Sequence, residues 1–218
     1  MFCMASLLDF VFPKYSLEGK EGEWVTESEL KQLKSHPRIF MHEELIEKGV
    51  HSLDRVFAAS AYQEAYLLKQ AIRTFKYRRI RALGETLQKL LSDAVSKYYP
   101  LKENSYICPV PLHWSRRCQR GFNQAEVLGR HLSNKTGIPM NRLIKRTRPT
   151  GNQSKRTRDE RWRAMRGAFC PSPSPNPSPH CVYLIDDLFT TGATMEECAK
   201  ALKSSGVKRV EGIVLAYD

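Results

Sequence analysis

Apolar residues recur at three- and four-residue steps through Ala65, Leu68, Ile72 and Phe75, and again through Leu83, Leu87, Leu90 and Leu91. That spacing is the period of an amphipathic helix. It predicts helix beginning near Leu53, strong from Ala65 and ended by Tyr98-Tyr99-Pro100, since proline lacks the donor that would continue it. Residues 106–111, Tyr-Ile-Cys-Pro-Val-Pro, predict a short buried strand that enters a loop. A second amphipathic helix is predicted from about Asn123 to Lys135, stopped by Gly137 and Pro139. Farther on, Cys181-Val-Tyr-Leu-Ile185 is an unbroken apolar run, the pattern of a strand covered on both faces. A helix from about Ala193 to Ser204 closes at Gly206, and residues 207–217 supply a last strand. Strand, helix and strand at this spacing form a βαβ unit, so the sheet is at least partly parallel.

Composition and charge refine that outline. The 218 residues fit one domain with a small appendage, divided here into an N-terminal extension, 1–50, and a main domain, 51–218. Three Trp, nine Tyr and nine Phe in a chain 41% hydrophobic argue against wholesale disorder. No run approaches the roughly 18 apolar residues of a membrane span. The opening MFCMASLLDFVF lacks a positive flank and is interrupted by Asp9, so no cleaved signal is expected and the cytoplasm is. Five prolines in residues 171–179 predict a stiff, extended surface loop. Of the six cysteines, none forms a CxxC pair and no His stands at finger-like spacing, which argues against a zinc site or a disulfide framework. Cys108 and Cys181 lie in strand-like runs and read as buried small hydrophobes. The net charge is +12, yet residues 1–50 hold nine carboxylates against six Lys and Arg. Residues 142–166 alone carry ten Lys and Arg against two acids. Charge of this kind suits nucleic acid, a phosphorylated small molecule, or solubility alone.

Candidate chemistry concentrates in residues 182–194, Val-Tyr-Leu-Ile-Asp-Asp-Leu-Phe-Thr-Thr-Gly-Ala-Thr. An apolar strand delivers Asp186 and Asp187 at its C-terminal end, the edge where open α/β sheets hold ligands. Thr190, Thr191, Gly192, Ala193 and Thr194 then lead into the helix. Their backbone N–H groups and hydroxyls, with the positive end of the helix dipole, can wrap a phosphate. A ligand with a phosphate at one end and a diol or bound cation a few ångströms away fits both features, as ribose 5-phosphate does. The same residues also read as an acidic helix cap followed by turn threonines.

The whole string resembles the thirteen-residue phosphoribosyl-pyrophosphate (PRPP) motif of type I phosphoribosyltransferases. A wider resemblance, from about residue 7 to 217, is to the ComF family. It is carried by residues 108–113 (Cys-Pro-Val-Pro-Leu-His), 120–125 (Arg-Gly-Phe-Asn-Gln-Ala), Gln153, 166–169 (Arg-Gly-Ala-Phe) and the acidic motif. Phe75-Lys76-Tyr77 and residues 7–13 are similar as well. The resemblance implies an α/β type I phosphoribosyltransferase fold. That fold has a parallel-sheet core flanked by helices, a small hood and flexible loop at about 140–180, and a degenerate N-terminal extension. It implies that Asp186 and Asp187 are the catalytic pair and hold the ribose hydroxyls, with residues 190–194 around the 5′-phosphate. Val110, Pro111, Leu112 and His113 would lie on the pyrophosphate side, beside Arg120, Asn123 and Gln124. Taken singly, Arg120 also reads as a solvated charge, Asn123 as an N-cap, His113 as a turn residue and Lys76 as helix surface.

The chain departs from the family in two places. Members usually carry two CxxC pairs in an N-terminal zinc ribbon. Ser16, Gly19, Thr26 and Glu29 stand where those cysteines would fall, so no structural zinc is expected. The extension must then pack through Trp24, Leu30 and Leu33 or stay mobile. Ala164 stands where the family often has Asn, which removes one polar contact from the hood.

The function implied by the resemblance is transfer of phosphoribosyl from PRPP, with Mg²⁺, to an acceptor the sequence does not name. The basic hood would close over the site and exclude water. Two alternatives stay open. One is a non-catalytic accessory of natural transformation that binds single-stranded DNA and meets other DNA-uptake proteins. It would use Arg156, Arg158, Arg161, Trp162 and Arg163 for nucleic-acid or polyphosphate contact. The other is a PRPP- or nucleotide-sensing regulator.

Overall fold

The computed structural model describes residues 15–21, 25–62, 66–77, 80–150, 157–173 and 180–218. Residues 7–13, Trp24, Gln153, Arg156 and residues 174–179 of the proline-rich stretch lie outside them. Five strands form the main sheet: β1 (Arg38–Met41), β2 (Arg55–Ala61), β3 (Ser105–Pro109), β6 (Cys181–Phe189) and β7 (Arg209–Tyr217). Their order is β1-β2-β7-β6-β3. All pairings are parallel except β1 with β2. A separate antiparallel pair, β4 (Ile144–Arg146) and β5 (Phe169–Pro171), frames the hood, with α7 (Arg158–Met165) between its strands.

Alternate residues of each strand face opposite layers. Val56, Leu184 and Val214 point toward α2 (His42–Glu47), α8 (Ala193–Ser204) and the hood. Phe57, Ile185 and Leu215 point toward α3 (Tyr66–Tyr77), α4 (Arg81–Tyr98) and α6 (Gln124–Thr136). Leu83, Leu87 and Leu91 of α4 are each at most 1% exposed, a burial that stabilises by about 1.5–3 kcal/mol per side chain. Among the described residues no helix is long and apolar enough to cross a membrane.

Several predicted elements appear where expected. The second helix is α6, capped by the Asn123 side chain and ended by Gly137 at φ 75°. The βαβ unit is β6-α8-β7, and β6 runs on past the predicted end to Phe189. The long helix predicted from Leu53 needs correction. Residues 55–61 are the strand β2, and the remaining pattern divides into α3 and α4, with Ile80 extended (φ −82°, ψ 107°) at the start of α4. Five of the seven residues of β2 are apolar (Val56, Phe57, Ala58, Ala59 and Ala61), too short a stretch to exclude either period, and pairing with β1 and β7 on its two sides decides for strand. Helix α5 (Trp114–Arg120) was not predicted, because its residues have no apolar period. Its caps define it: His113 accepts a hydrogen bond from Ser115 N, and Gly121 ends it at φ 77°.

β1 and α2, from the segment assigned to the extension, are built into the sheet edge and the core. Phe40, Leu45 and Val50 are each at most 2% exposed. Farther upstream, Ser16, Gly19, Thr26 and Glu29 draw two turns together. The buried Glu29 carboxylate, at the head of α1 (Glu27–Gln32), accepts from Glu18 N at 2.8 Å and Thr26 N at 2.7 Å. Glu29 N in turn donates to Thr26 Oγ1 at 3.2 Å. Burial alone would raise the Glu29 pKa, but those amides and the Ser16 and Thr26 hydroxyls hold it below the ordinary 4.5. Leu30 and Leu33 pack against the α4 side of the core.

Candidate functional site

β3 ends sooner than β6, and that difference opens the candidate site. Their pairing stops at Pro109 opposite Ile185, with one more bond from Val110 N to Ile185 O at 2.9 Å. β6 continues beside β7 alone, so Asp186 and Asp187 sit where the sheet loses a neighbour. Asp186 Oδ1 accepts from Asp187 N at 2.8 Å. Burial, and then the adjacent Asp187 charge, push the Asp186 pKa up to about 7 despite nearby Lys76 and Arg120. Asp187 is 6% exposed, and its Oδ2 lies 3.0 Å from Lys76 Nζ. The sequence favoured a surface role for Lys76. The structure places its ammonium on the acidic pair.

The loop after β6 turns on Gly192, at φ 80°. A Cβ there would lie 2.3 Å from Val50 Cγ2, so only glycine fits. Ala193 N reaches Thr191 Oγ1 at 3.4 Å, and the glycine cap offers no side chain to the other first-turn amides. Thr190 and Thr194 flank this turn, half-buried. The loop before β2 forms its wall, pinned by Glu196 of α8. That carboxylate, fully buried, accepts from His51 N at 3.0 Å, Ser52 N at 2.8 Å and Ser52 Oγ at 3.0 Å. Neither Glu196 nor this wall was legible beforehand, since the partners are more than 140 positions apart.

On the other side of the crevice, Val110 and His113 are buried and Pro111 and Leu112 half-buried. His113 Nδ1 lies 2.8 Å from Ser115 Oγ, so the ring serves as a helix cap. Asn123 caps α6 through Ala125 N at 3.1 Å and donates from Nδ2 to Val110 O at 3.0 Å, which fixes the loop's shape. Gln124 accepts from Arg120 Nη1 and donates to Lys76 O, both at 3.2 Å. Arg120, Gln124 and Lys76 are thereby linked.

The hood reaches the loop after β6. Arg161 Nη1 donates to Thr190 Oγ1 at 3.2 Å, and Arg158 Nη2 to Lys48 O at 2.8 Å. Trp162 is half-buried against the core, not displayed for stacking as the nucleic-acid reading supposed, because α7 packs on α8 and on Gly49. Arg163 is exposed. Arg146 was counted only within the basic segment. Its guanidinium lies over the Phe169 ring, 5.4 Å from the centroid, and donates to Thr150 Oγ1. Its Nε is buried without a partner among the described residues. Burial, and then Arg116, lower its pKa to about 10, while Asp186 acts in the opposite direction.

No cluster of three or more His, Cys, Asp or Glu side chains suited to a metal ion occurs among the described residues. Buried Cys108 and Cys181 are pushed up to about 12 and 11 by desolvation, far from thiolate reactivity at neutral pH.

No family model matches the chain. It is 34% identical over 165 residues to competence protein F of Haemophilus influenzae, covering 73% of this chain and 71% of that protein. It is 32% identical over 149 residues to competence protein ComFC of Bacillus subtilis, covering 67% and 58% respectively. DNA utilization protein YhgH of Salmonella typhi is 32% identical over 151 residues, covering 66% of this chain and 64% of that one. The chain thus spans less than two thirds of the latter two relatives. Among solved structures, the glutamine PRPP amidotransferase of B. subtilis is 12% identical, with 66% of this chain and 30% of that one covered at TM-score 0.44. Adenine phosphoribosyl transferase of Trypanosoma brucei is 13% identical, covering 72% and 70% at TM-score 0.38.

Proposed function

Because the chain belongs to the ComF family of competence proteins, we propose that its crevice binds PRPP and catalyses transfer of the phosphoribosyl group to an acceptor. One observation carries the reading: an acidic pair and a glycine-pivoted hydroxyl loop converge at one sheet edge, ringed by cationic side chains. Asp186 and Asp187 would hold the ribose 2′- and 3′-hydroxyls. The amides and hydroxyls of residues 190–194 would hold the 5′-phosphate, with the hood closing through Arg161. The Val110 to His113 loop and Arg120 would face the pyrophosphate.

In the proposed reaction the C1–O bond to pyrophosphate breaks, its electron pair leaves with pyrophosphate, and the acceptor's lone pair forms the new bond to C1. The protein's work is to position the ribose and balance charge on the leaving group. Mg²⁺ fits a site whose protein oxygens are those of two carboxylates, and bound with PRPP it would neutralise pyrophosphate. We place this activity in the cytoplasm, in service of DNA uptake.

Calorimetry with PRPP and Mg²⁺ tests the reading. Asp186→Asn and Asp187→Asn are expected to weaken binding at least roughly tenfold. Equal affinity in wild type and both variants would sink the site. Pyrophosphate release on adding acceptors then separates enzyme from sensor.

A second reading, single-strand nucleic-acid contact, is favoured by a different surface from the hood. Trp114 is 70% exposed at the start of α5, beside half-buried Arg116 and exposed Arg117. An exposed aromatic flanked by arginines suits base stacking with phosphate contacts.

A further inference from the structure

Resting on that reading of the crevice, we propose that Lys76 makes the site prefer a sugar carrying a 1-pyrophosphate over the same sugar without one. Its Nζ lies 3.0 Å from Asp187 Oδ2, with side chains 21% and 9% exposed. The contact is one of charge, off the hydrogen-bonding axis: Oδ2 is buried and takes no aligned donor among the described residues. A carboxylate oxygen left in that state readily accepts a better-placed hydroxyl. Lys76 therefore occupies the place the ribose diol would take on Asp187.

The Lys76 backbone cannot follow such an exchange. Its carbonyl accepts from Gln124 Nε2, and Gln124 is held by Arg120. The flexible four-carbon stem is the part free to move. A diol that displaces the ammonium takes its counter-charge from a largely buried side chain, which is costly unless a new anion is at hand. PRPP brings that anion at C1 of the same ribose. Ribose 5-phosphate and nucleoside 5′-monophosphates do not. The ion pair thus penalises ligands that offer only the diol and the 5′-phosphate, and it favours release of a monophosphorylated product.

Calorimetry in Mg²⁺ with PRPP and ribose 5-phosphate as the two probes tests this on wild type, Lys76→Met and Lys76→Arg. Lys76→Met is expected to weaken PRPP binding roughly tenfold or more while ribose 5-phosphate binds as before or tighter. Lys76→Arg is expected to keep most of the preference. A merely structural lysine would weaken both probes alike, so an equal change for both, or an unchanged PRPP affinity, overturns the assignment to Lys76 and leaves the site reading intact. A wild type that binds neither probe overturns the site reading and the role of Lys76 with it. Circular dichroism establishes that each variant is folded. If the Met variant is not, Lys76→Gln gives the same ratio test with a polar head retained.

Discussion

Gly192 tolerates no side chain for two independent reasons: its φ of 80°, and the Val50 methyl 2.3 Å from where a Cβ would stand. Gly192→Ala is expected to cost about 1–3 kcal/mol and to abolish PRPP binding. Urea denaturation and calorimetry on the same preparation check both halves. Glu29 supports a prediction about pH. Its folded pKa is depressed, so its contribution is complete above about the ordinary 4.5 and is lost as pH falls through the lower folded value. Protection from exchange, relative to the unfolded rate at each pH, is expected to fall selectively in that acid window at Glu18 and Thr26, whose N–H groups donate to the carboxylate. Glu29→Gln should remove the pH dependence and loosen residues 15–21 and 25–33 at neutral pH. Protection at these amides, relative to the unfolded rate at each pH, that is the same above and below the window would overturn the assignment. Lys76 and Glu29 share a lesson about legibility. Each is a charged residue on an otherwise ordinary helix, and its role depends on a partner from another turn or strand. Asp186 and Asp187 were legible because strand, acids and loop are contiguous in the chain.

Elements were legible where one period ran long enough to exclude the other. α6 and α8 carried both an apolar stripe and a glycine stop, and they appear within a residue or two of prediction. β2 failed that condition: its seven residues, five of them apolar, fit helix or strand until β1 and β7 hydrogen-bond on either side. The hood was expected as a basic flap. It is latched, with Arg161 on Thr190, Arg158 on Lys48 and Met165 fully buried in the core. The double variant Arg158→Ala/Arg161→Ala is expected to raise hydrogen exchange across residues 157–166 about tenfold while α4 and α6 are unaffected, as mass spectrometry would resolve. Unchanged exchange in α7 would show that packing of Met165 alone holds the hood. Each latch is one hydrogen bond from a guanidinium to a neutral oxygen, a contribution of about 1 kcal/mol, which is why the prediction concerns local opening and not global stability.

Across the whole molecule, the excess of positive charge proved to be distributed by role. Within the basic segment, Arg158 and Arg161 fasten the hood and Arg146 lies half-buried over Phe169, whereas α5 presents Trp114 and Arg117 outward. Trp114→Ala is therefore expected to weaken binding of a single-stranded oligonucleotide by the about 1–3 kcal/mol of one stacked base and to leave PRPP affinity unchanged. Fluorescence anisotropy and calorimetry measure the two, and a loss of PRPP binding would show that Trp114 belongs to the crevice instead. A chelator is expected to leave the melting temperature of the ligand-free protein unchanged, since a carboxylate joins the two N-terminal turns. The sequence by itself determined the βαβ unit, the acidic pair and the glycine turn that follows it, because each is written in adjacent residues whose chemistry is local. Only the tertiary structure decided that β2 is a strand, that Glu196 builds a wall for the loop after β6, that Trp162 is half-buried while Trp114 is exposed, and that Lys76 sits on Asp187. Those outcomes rest on contacts between residues far apart in the chain, and burial and charge at such contacts exist only once the sheet has brought them together.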